Sequence, residues 1–318
     1  MLRRILSIDG GGIKGVVPAS FLAALEDSIG TSVSRYFDLI VGTSTGGIIA
    51  LGLGLGLSAR QILEFYEVHG PAIFCGNPRF HALRWWLRAK YDSQPLQDAL
   101  HEVFANRLLG ESSKRLAIPS FNIGTGEVHV WKTAHHPRFE RDYKCQAVEV
   151  GLSTAAAPTY FPTYLTKSGI PLVDGGVWAN NPVAVAAIEA IGVLKWPAAD
   201  IQILSLGCTT ATHDVNWGRS HSLGIFGWML KLNDVFMTAQ SVSAVGMVQH
   251  MLPDRNQLTR ISPVVGKGRF ALDRVKDIRE LRGIGEFAAR TAIPRLRELF
   301  FKHPFAEEFI PYCSALGN

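Results

Sequence analysis

Ser44 stands between two glycines in Gly42-Thr43-Ser44-Thr45-Gly46, a spacing suited to a serine nucleophile. An apolar run, Phe37-Asp38-Leu39-Ile40-Val41, precedes it, and a second, Gly47-Ile48-Ile49-Ala50-Leu51, follows. The first reads as a buried parallel strand and the second as a buried helix. G-x-S-x-G at such a junction is the nucleophile-elbow pattern. The turn is so tight that a flanking side chain would clash, hence the glycines. The hydroxyl then stands clear of the backbone at a helix start, where the dipole favours developing negative charge. A Gly/Ser turn joining two core elements is the plainer alternative.

Two further groups of residues bear on that choice. Asp9-Gly10-Gly11-Gly12-Ile13-Lys14-Gly15 follows a first strand, Arg4 to Ile8, and precedes helical spacing from Val16 to Leu25. Backbone N–H groups in such a turn can bind an anion, either a phosphate or the oxyanion of a tetrahedral intermediate. The stretch also fits G-x-G-x-x-G, the dinucleotide fingerprint. That reading wants an acid at the end of the second strand, but the strand ends in Gly42-Thr43-Ser44, with Asp38 at its beginning. The oxyanion reading explains both loops together. Downstream, Asp174-Gly175-Gly176 precedes Asn180-Asn181-Pro182. Asp-Gly-Gly alone is usually a turn; Asn181-Pro182 looks like an N-cap opening a helix from Val183 to Ile191.

With these pieces in order, the chain resembles the patatin-like phospholipase family. Ala155-Ala156-Ala157-Pro158-Thr159-Tyr160-Phe161-Pro162, Asn180-Asn181-Pro182 and Ile203-Leu204-Ser205-Leu206-Gly207 also look like landmarks of that family. The resemblance covers roughly residues 3 to 210. It implies a Ser-Asp dyad with Ser44 as nucleophile and Asp174 as general base. It also implies an oxyanion hole from Gly11 and Gly12 together with Gly10. A carboxylate with a reference pKa near ~3.9 is a weak base, and burial beside an acyl pocket would raise it. Lys14 either steadies the glycine loop, meets a lipid phosphate, or is a solvated lysine at a helix start. Asp9 is expected to tie down the glycine loop, and Asp27 to be a solvated helix charge.

Some intracellular bacterial members resemble the chain around Gly42 to Leu57. They degrade membrane phospholipid when a cyclic oligonucleotide made in antiphage defence (CBASS) binds them. The resemblance therefore implies membrane phospholipid as substrate, a cyclic di- or trinucleotide as activator, a cytoplasmic protein acting at the inner face of the membrane, and a homo-oligomer. It implies no metal or other cofactor. No acidic calcium loop is visible. The rivals are a constitutive esterase, a triad using one of the ten histidines such as His135 or His136, a dinucleotide-dependent oxidoreductase, and a non-catalytic lipid- or nucleotide-binding module.

These groups need a framework to hold them. Strand and helix signals alternate over residues 4 to 58, followed by a helical stretch from Ser58 to Ala105. Strands recur at Leu116 to Ile123, Val128 to Thr133 and Ile201 to Leu206, with helices near Glu149 and Ala184. That order predicts an α/β fold: three layers, α/β/α, around a central, mostly parallel sheet. With 318 residues, 47% of them hydrophobic, the chain can bury a large core, and we expect one domain over residues 1–318. Residues 211–318 match no motif and are expected to be helical.

The net charge of +5 suits an anionic surface, and no arginine-rich block or other motif favours nucleic acid. Four widely spaced cysteines, without C-x-x-C, fit a reducing compartment. The apolar run after Met1 ends at Asp9, too soon for a signal peptide. Leu39 to Leu57 is uncharged, but its Gly-Thr-Ser-Thr-Gly-Gly turn would break a spanning helix, so it reads as strand, elbow and core helix. Two stretches could meet lipid or pack inward. Arg79 to Tyr91 interleaves cations with Trp85 and Trp86. Leu223 to Leu252 reads as a core or dimer helix, or as a lid over the acyl pocket.

Overall fold

The computed structural model describes residues 2–75, 88–211 and 225–313, with backbone alone at 225–231, 233 and 234. Most of the expected interfacial stretch from Arg79 to Tyr91 lies outside these residues, as does the beginning of the stretch from Leu223. In chain order the strands are β1 (Arg3–Ile8), β2 (Leu39–Gly42), β3 (Arg115–Asn122), β4 (Glu127–Lys132), β5 (Tyr164–Leu165), β6 (Pro171–Asp174), β7 (Ile201–Leu206), β8 (Thr210–Ala211), β9 (Leu258–Ile261) and β10 (Val264–Val265). The helices are α1 (Val16–Ile29), α2 (Thr45–Gly54), α3 (Ala59–Ile73), α4 (Gln94–Phe104), α5 (Ala147–Ala155), α6 (Gly176–Ala179), α7 (Val183–Ile188), α8 (Ile225–Met251) and α9 (Ile278–Leu296).

The main sheet runs β5-β6-β3-β2-β1-β7-β9, with β4 also paired to β3. β3, β2, β1, β7 and β9 are mutually parallel. β4 and β6 run antiparallel to β3, and β5 antiparallel to β6. β8 and β10 form a separate parallel pair.

Alternation along the parallel strands sets the layers. Leu6, Ile8, Ile40, Leu204 and Leu206 face one core, built with α1 to α5 and α9. Ile5, Leu39, Val41, Ile201 and Ile203 face the other, against α7 and the end of α8. This is the three-layer α/β/α architecture expected, with a mixed, mostly parallel sheet. The uncharged run from Leu39 to Leu57 forms β2, a turn and α2, as expected. Among the described residues no helix is long and apolar enough to cross a membrane.

Two expectations need amendment. Residues beyond 211 are not only helical: they supply β9, an edge strand of the main sheet, beside β7. α8 is only partly a core helix. Ala244 and Val248 are buried, whereas Leu232, Val235, Phe236 and Val242 are exposed.

Register explains how an antiparallel strand serves a parallel site. Val41 pairs with Ala117, and β3 then continues past the end of β2 to Asn122. On β3, β6 pairs with that overhang alone, placing Asp174 opposite Ser120. Ser120 lies three residues beyond Ala117, as Ser44 lies three beyond Val41. The strand ends therefore bring Asp174 level with Ser44.

Candidate active site

Ser44 joins the end of β2 to the start of α2 with φ 56° and ψ −123°. This is the left-handed side of backbone space, which a non-glycine residue occupies at a cost of roughly 1–3 kcal/mol. The surroundings enforce it. A Cβ on Gly46 would lie 2.3 Å from the Ile8 carbonyl oxygen, so α2 begins in direct contact with the end of β1. The Ser44 N–H donates to Thr154 Oγ1 at 3.0 Å, and that hydroxyl donates to the Pro119 carbonyl at 2.6 Å. Thr43 Oγ1 donates to the Ala179 carbonyl at 2.7 Å, tying the elbow to α6. The buried Tyr66 hydroxyl bonds both the side chain and the carbonyl of Thr45.

Asp174 ends β6. Its N–H donates to the Ala156 carbonyl at 3.0 Å, and Oδ1 accepts the Gly176 N–H at 2.6 Å. Ser44 lies close enough to the same carboxylate to favour its ionised form. Burial pushes the Asp174 pKa up to about 6, against the opposing effect of nearby Ser44 and of the Gly176 N–H.

The glycine loop abuts this pair. A Cβ on Gly10 would lie 3.1 Å from Ser44 Cβ. The three glycines are not equivalent, which corrects the expectation that Gly10 joins the oxyanion hole. The Gly10 N–H donates to the Asn180 carbonyl at 2.9 Å, while Asn180 Nδ2 donates to the Gly10 carbonyl at 3.3 Å. The Ile13 N–H is also occupied, by the Leu272 carbonyl at 2.8 Å. Between them, the Gly11 and Gly12 N–H groups donate to no backbone acceptor among the described residues. Gly12 has φ +57°, a conformation that favours glycine. The glycine loop, with two amides that no backbone acceptor takes among the described residues, thus abuts Ser44 through Gly10.

A family model of patatin-like phospholipases matches residues 6–187. The chain belongs to the patatin-like phospholipase family. It is 34% identical over 296 residues to a cGAMP-activated phospholipase of Pseudomonas aeruginosa, covering 91% of this chain and 88% of the relative. A cGAMP-activated phospholipase of Vibrio cholerae is 36% identical over 249 residues, covering 70% of each chain. The crystal structure of VipD from Legionella pneumophila aligns with a TM-score of 0.49 at 13% identity, covering 92% of this chain and 67% of that one. The protein is thus a patatin-like phospholipase, a lipid acyl hydrolase.

Other residues of this patatin-like phospholipase fall away from the pair or support it. His135 is buried, with Nδ1 bonded to Thr133 Oγ1 at 2.8 Å and Nε2 to Glu189 at 2.9 Å. Burial lowers its pKa, against the opposing effect of Glu189. His136 bonds the Arg138 N–H. Neither contacts Ser44 or Asp174 among the described residues. Asp38 accepts the Arg4 N–H at 2.9 Å, a structural use that leaves no ribose-binding acid at the end of β2. Asp27 is exposed and paired with Arg60.

Lys14 is half-buried, and its charge favours the ionised forms of Asp9 and Cys208. Asp9 is indeed an anchor, and its partner is Arg260 on β9. Thr154, Asn180 and Arg260 escaped the sequence reading. Thr154 precedes a landmark motif, and Asn180 lies in one. Arg260 carries no local signal.

A cleft of about 210 Å³ lies beside Ala155 and Ala156, lined also by Leu96, Leu152, Phe161 and Tyr164. Ala156 is the residue whose carbonyl receives the Asp174 N–H.

Proposed function

We propose that this patatin-like phospholipase hydrolyses carboxylic esters of membrane phospholipid through an acyl-enzyme on Ser44, with Asp174 as the base. The strand register that brings the buried Asp174 carboxylate level with Ser44 carries the reading. Asp174 takes the hydroxyl proton as Oγ attacks the ester carbonyl. The charge that develops on the carbonyl oxygen falls to the amides of Gly11 and Gly12. The tetrahedral adduct collapses, and the proton held on Asp174 passes to the departing lysophospholipid alkoxide. Water then attacks the acyl-Ser44 ester, giving up its proton to Asp174. Ser44 leaves with that proton, and the fatty acid is released. A pKa of about 6 leaves Asp174 ionised at neutral pH, yet a stronger base than an exposed aspartate. The cleft lined by Leu96, Leu152 and Phe161 suits an acyl chain.

The relatives named as cGAMP-activated phospholipases support a further element: a cyclic dinucleotide switches the hydrolysis on. In this reading the protein acts at the inner face of the membrane in antiphage defence, with the chain working as one catalytic unit. Glycerophospholipid vesicles and a soluble acyl ester, each with and without cyclic GMP–AMP, test both parts. Wild type should release fatty acid, and Ser44→Ala and Asp174→Asn should lose about 10³-fold or more in kcat. Undiminished turnover by Ser44→Ala would overturn the dyad. Identical wild-type rates with and without the nucleotide would remove the gating.

A further inference from the structure

Asp9 and Ile13 flank Gly11 and Gly12, and residues 258–273 hold both. Arg260 Nη1 donates to Asp9 Oδ1 at 2.7 Å, and Nη2 pairs with Asp9 Oδ2. The same Nη1 donates to Ser205 Oγ at 2.8 Å. Arg260 sits on β9, Asp9 follows β1, and β7 lies between them. The guanidinium therefore crosses β7, and it has room because residue 207 is glycine: a Cβ there would lie 2.8 Å from Arg260 Nη2. This gives Ser205 and Gly207 a physical role: one binds the crossing arginine and the other admits it. On the far side of the loop, Leu272 accepts the Ile13 N–H at 2.8 Å. The Leu272 carbonyl oxygen also lies 2.3 Å from where a Gly12 Cβ would stand. The next residue, Asp273, accepts the Tyr91 hydroxyl at 2.8 Å and pairs with Lys90.

We propose that Arg260 is a positioning residue for the oxyanion hole, and that residues 258–273 brace the glycine loop at Asp9 and Ile13 so that the Gly11 and Gly12 amides point at the reacting carbonyl. The inference rests on the reading of Gly11 and Gly12 as oxyanion donors. It gives the C-terminal third, which no motif explains, a part in setting the geometry of the site. The fork of a guanidinium matches a carboxylate in two bonds, so lysine cannot reproduce the geometry. Oxyanion stabilisation depends on donors fixed before the reaction, so a loop that keeps its fold but loses its set loses rate.

The test compares wild type with Arg260→Lys, which keeps the charge. Because loss of a buried pair can unfold a protein, it also includes the neutral double variant Asp9→Asn/Arg260→Gln. Soluble ester hydrolysis is followed with cyclic GMP–AMP present and absent, and a trifluoromethyl ketone serves as an inhibitor whose serine adduct carries an oxyanion. Arg260→Lys should lower kcat by about 10²-fold with KM little changed. The ketone Ki should rise by the same factor, and the acidic limb of the pH profile should stay where Asp174 sets it. Hydrogen exchange of the 9–15 peptide, readable whether or not ester turns over, should quicken while exchange in β2 stays as in wild type. The double variant should show the same pattern. Unchanged exchange in that peptide overturns the brace. So does a loss of rate in which KM rises, the ketone Ki stays put or the acidic limb moves, since that reports a generally loosened site. Failure here with Ser44→Ala inactive would leave the dyad standing; an active Ser44→Ala would remove the dyad itself.

Discussion

Asp174 works under an energetic conflict that can be measured. Its folded pKa of about 6 exceeds the ordinary 3.8, because burial penalises the charged form. A group raised on folding contributes its full stabilisation below its unfolded pKa and loses it as pH climbs through its folded pKa. At neutral pH the ionised Asp174 therefore costs the fold up to about 3 kcal/mol, at 1.36 kcal/mol per unit. Asp174→Asn removes the charge and keeps an acceptor for the Gly176 N–H. The variant should be inactive, yet more resistant to urea than wild type at pH 7.5, with the advantage vanishing below about pH 4. In the wild type, kcat/KM should climb about tenfold per pH unit below 6 and level off above it. Urea midpoints and rates over pH 4–8 decide this: an Asn variant no more stable at pH 7.5 refutes the assigned cost. Residues at this scale were unevenly legible. Ser44 and Asp174 sit in short motifs whose glycines announce a special backbone. Arg260 and Thr154 act through one side chain each across long sequence separations, and a single chain holds no trace of such pairings.

Elements were legible in proportion to their length and patterning. β1, β2, β3 and β7 carry runs of buried apolar residues, and α1 and α2 follow directly behind glycine turns, so the βαβ core could be read. β6 could not. It has four residues, begins at Pro171, and joins the parallel strands only through the overhang of β3. β9 could not either, since Leu258–Ile261 is a four-residue edge strand with Thr259 and Arg260 side by side at its centre and no alternation to mark it. The contact of α2 with β1 is where an element-scale change should be most damaging. Gly46 faces Ile8 and Asp9 carbonyl oxygens at 2.3 and 2.7 Å from a would-be Cβ. Both belong to backbone that cannot step aside without moving the glycine loop. Gly46→Ala should thus combine an overpacking penalty of about 1–3 kcal/mol with a loss of kcat beyond what instability explains. A melt paired with kcat at a temperature where the variant is fully folded would check it. Wild-type kcat in that folded variant would show that the contact does not set the loop.

At the scale of the whole molecule, the sheet separates stability from chemistry by its two ends. Gly10–Gly12, Ser44 and Cys208 all follow the carboxyl ends of parallel strands, where open α/β sheets place their ligands. The amino end of β1 is held instead by the C-terminal tail. Arg4 Nη1 donates to the Phe300 carbonyl at 2.8 Å, and the Ala306 N–H to the Arg35 carbonyl at 2.8 Å. Phe300 is fully buried, its ring 5.9 Å from Phe37, while Phe301 meets Tyr36 edge-on at 4.9 Å. Two parts of the C-terminal third thus do opposite work: residues 258–273 reach the site, and residues 300–306 close the far end. Phe300→Ala should open a cavity and cost about 3–5 kcal/mol, lowering the urea midpoint sharply. Arg4 donates to the main-chain carbonyls of Phe300 and Pro304, so these bonds survive the truncation. The lesion should stay local because Ile5 to Ile8 intervene between this end of β1 and Asp9. For the fraction that remains folded, kcat/KM on a soluble ester should stay within about threefold of wild type, since changes at distant, independent sites do not couple strongly. A loss of kcat/KM well beyond the unfolded fraction would show that strain at one end of β1 reaches the glycine loop at the other, and the sheet would then be a lever between its ends.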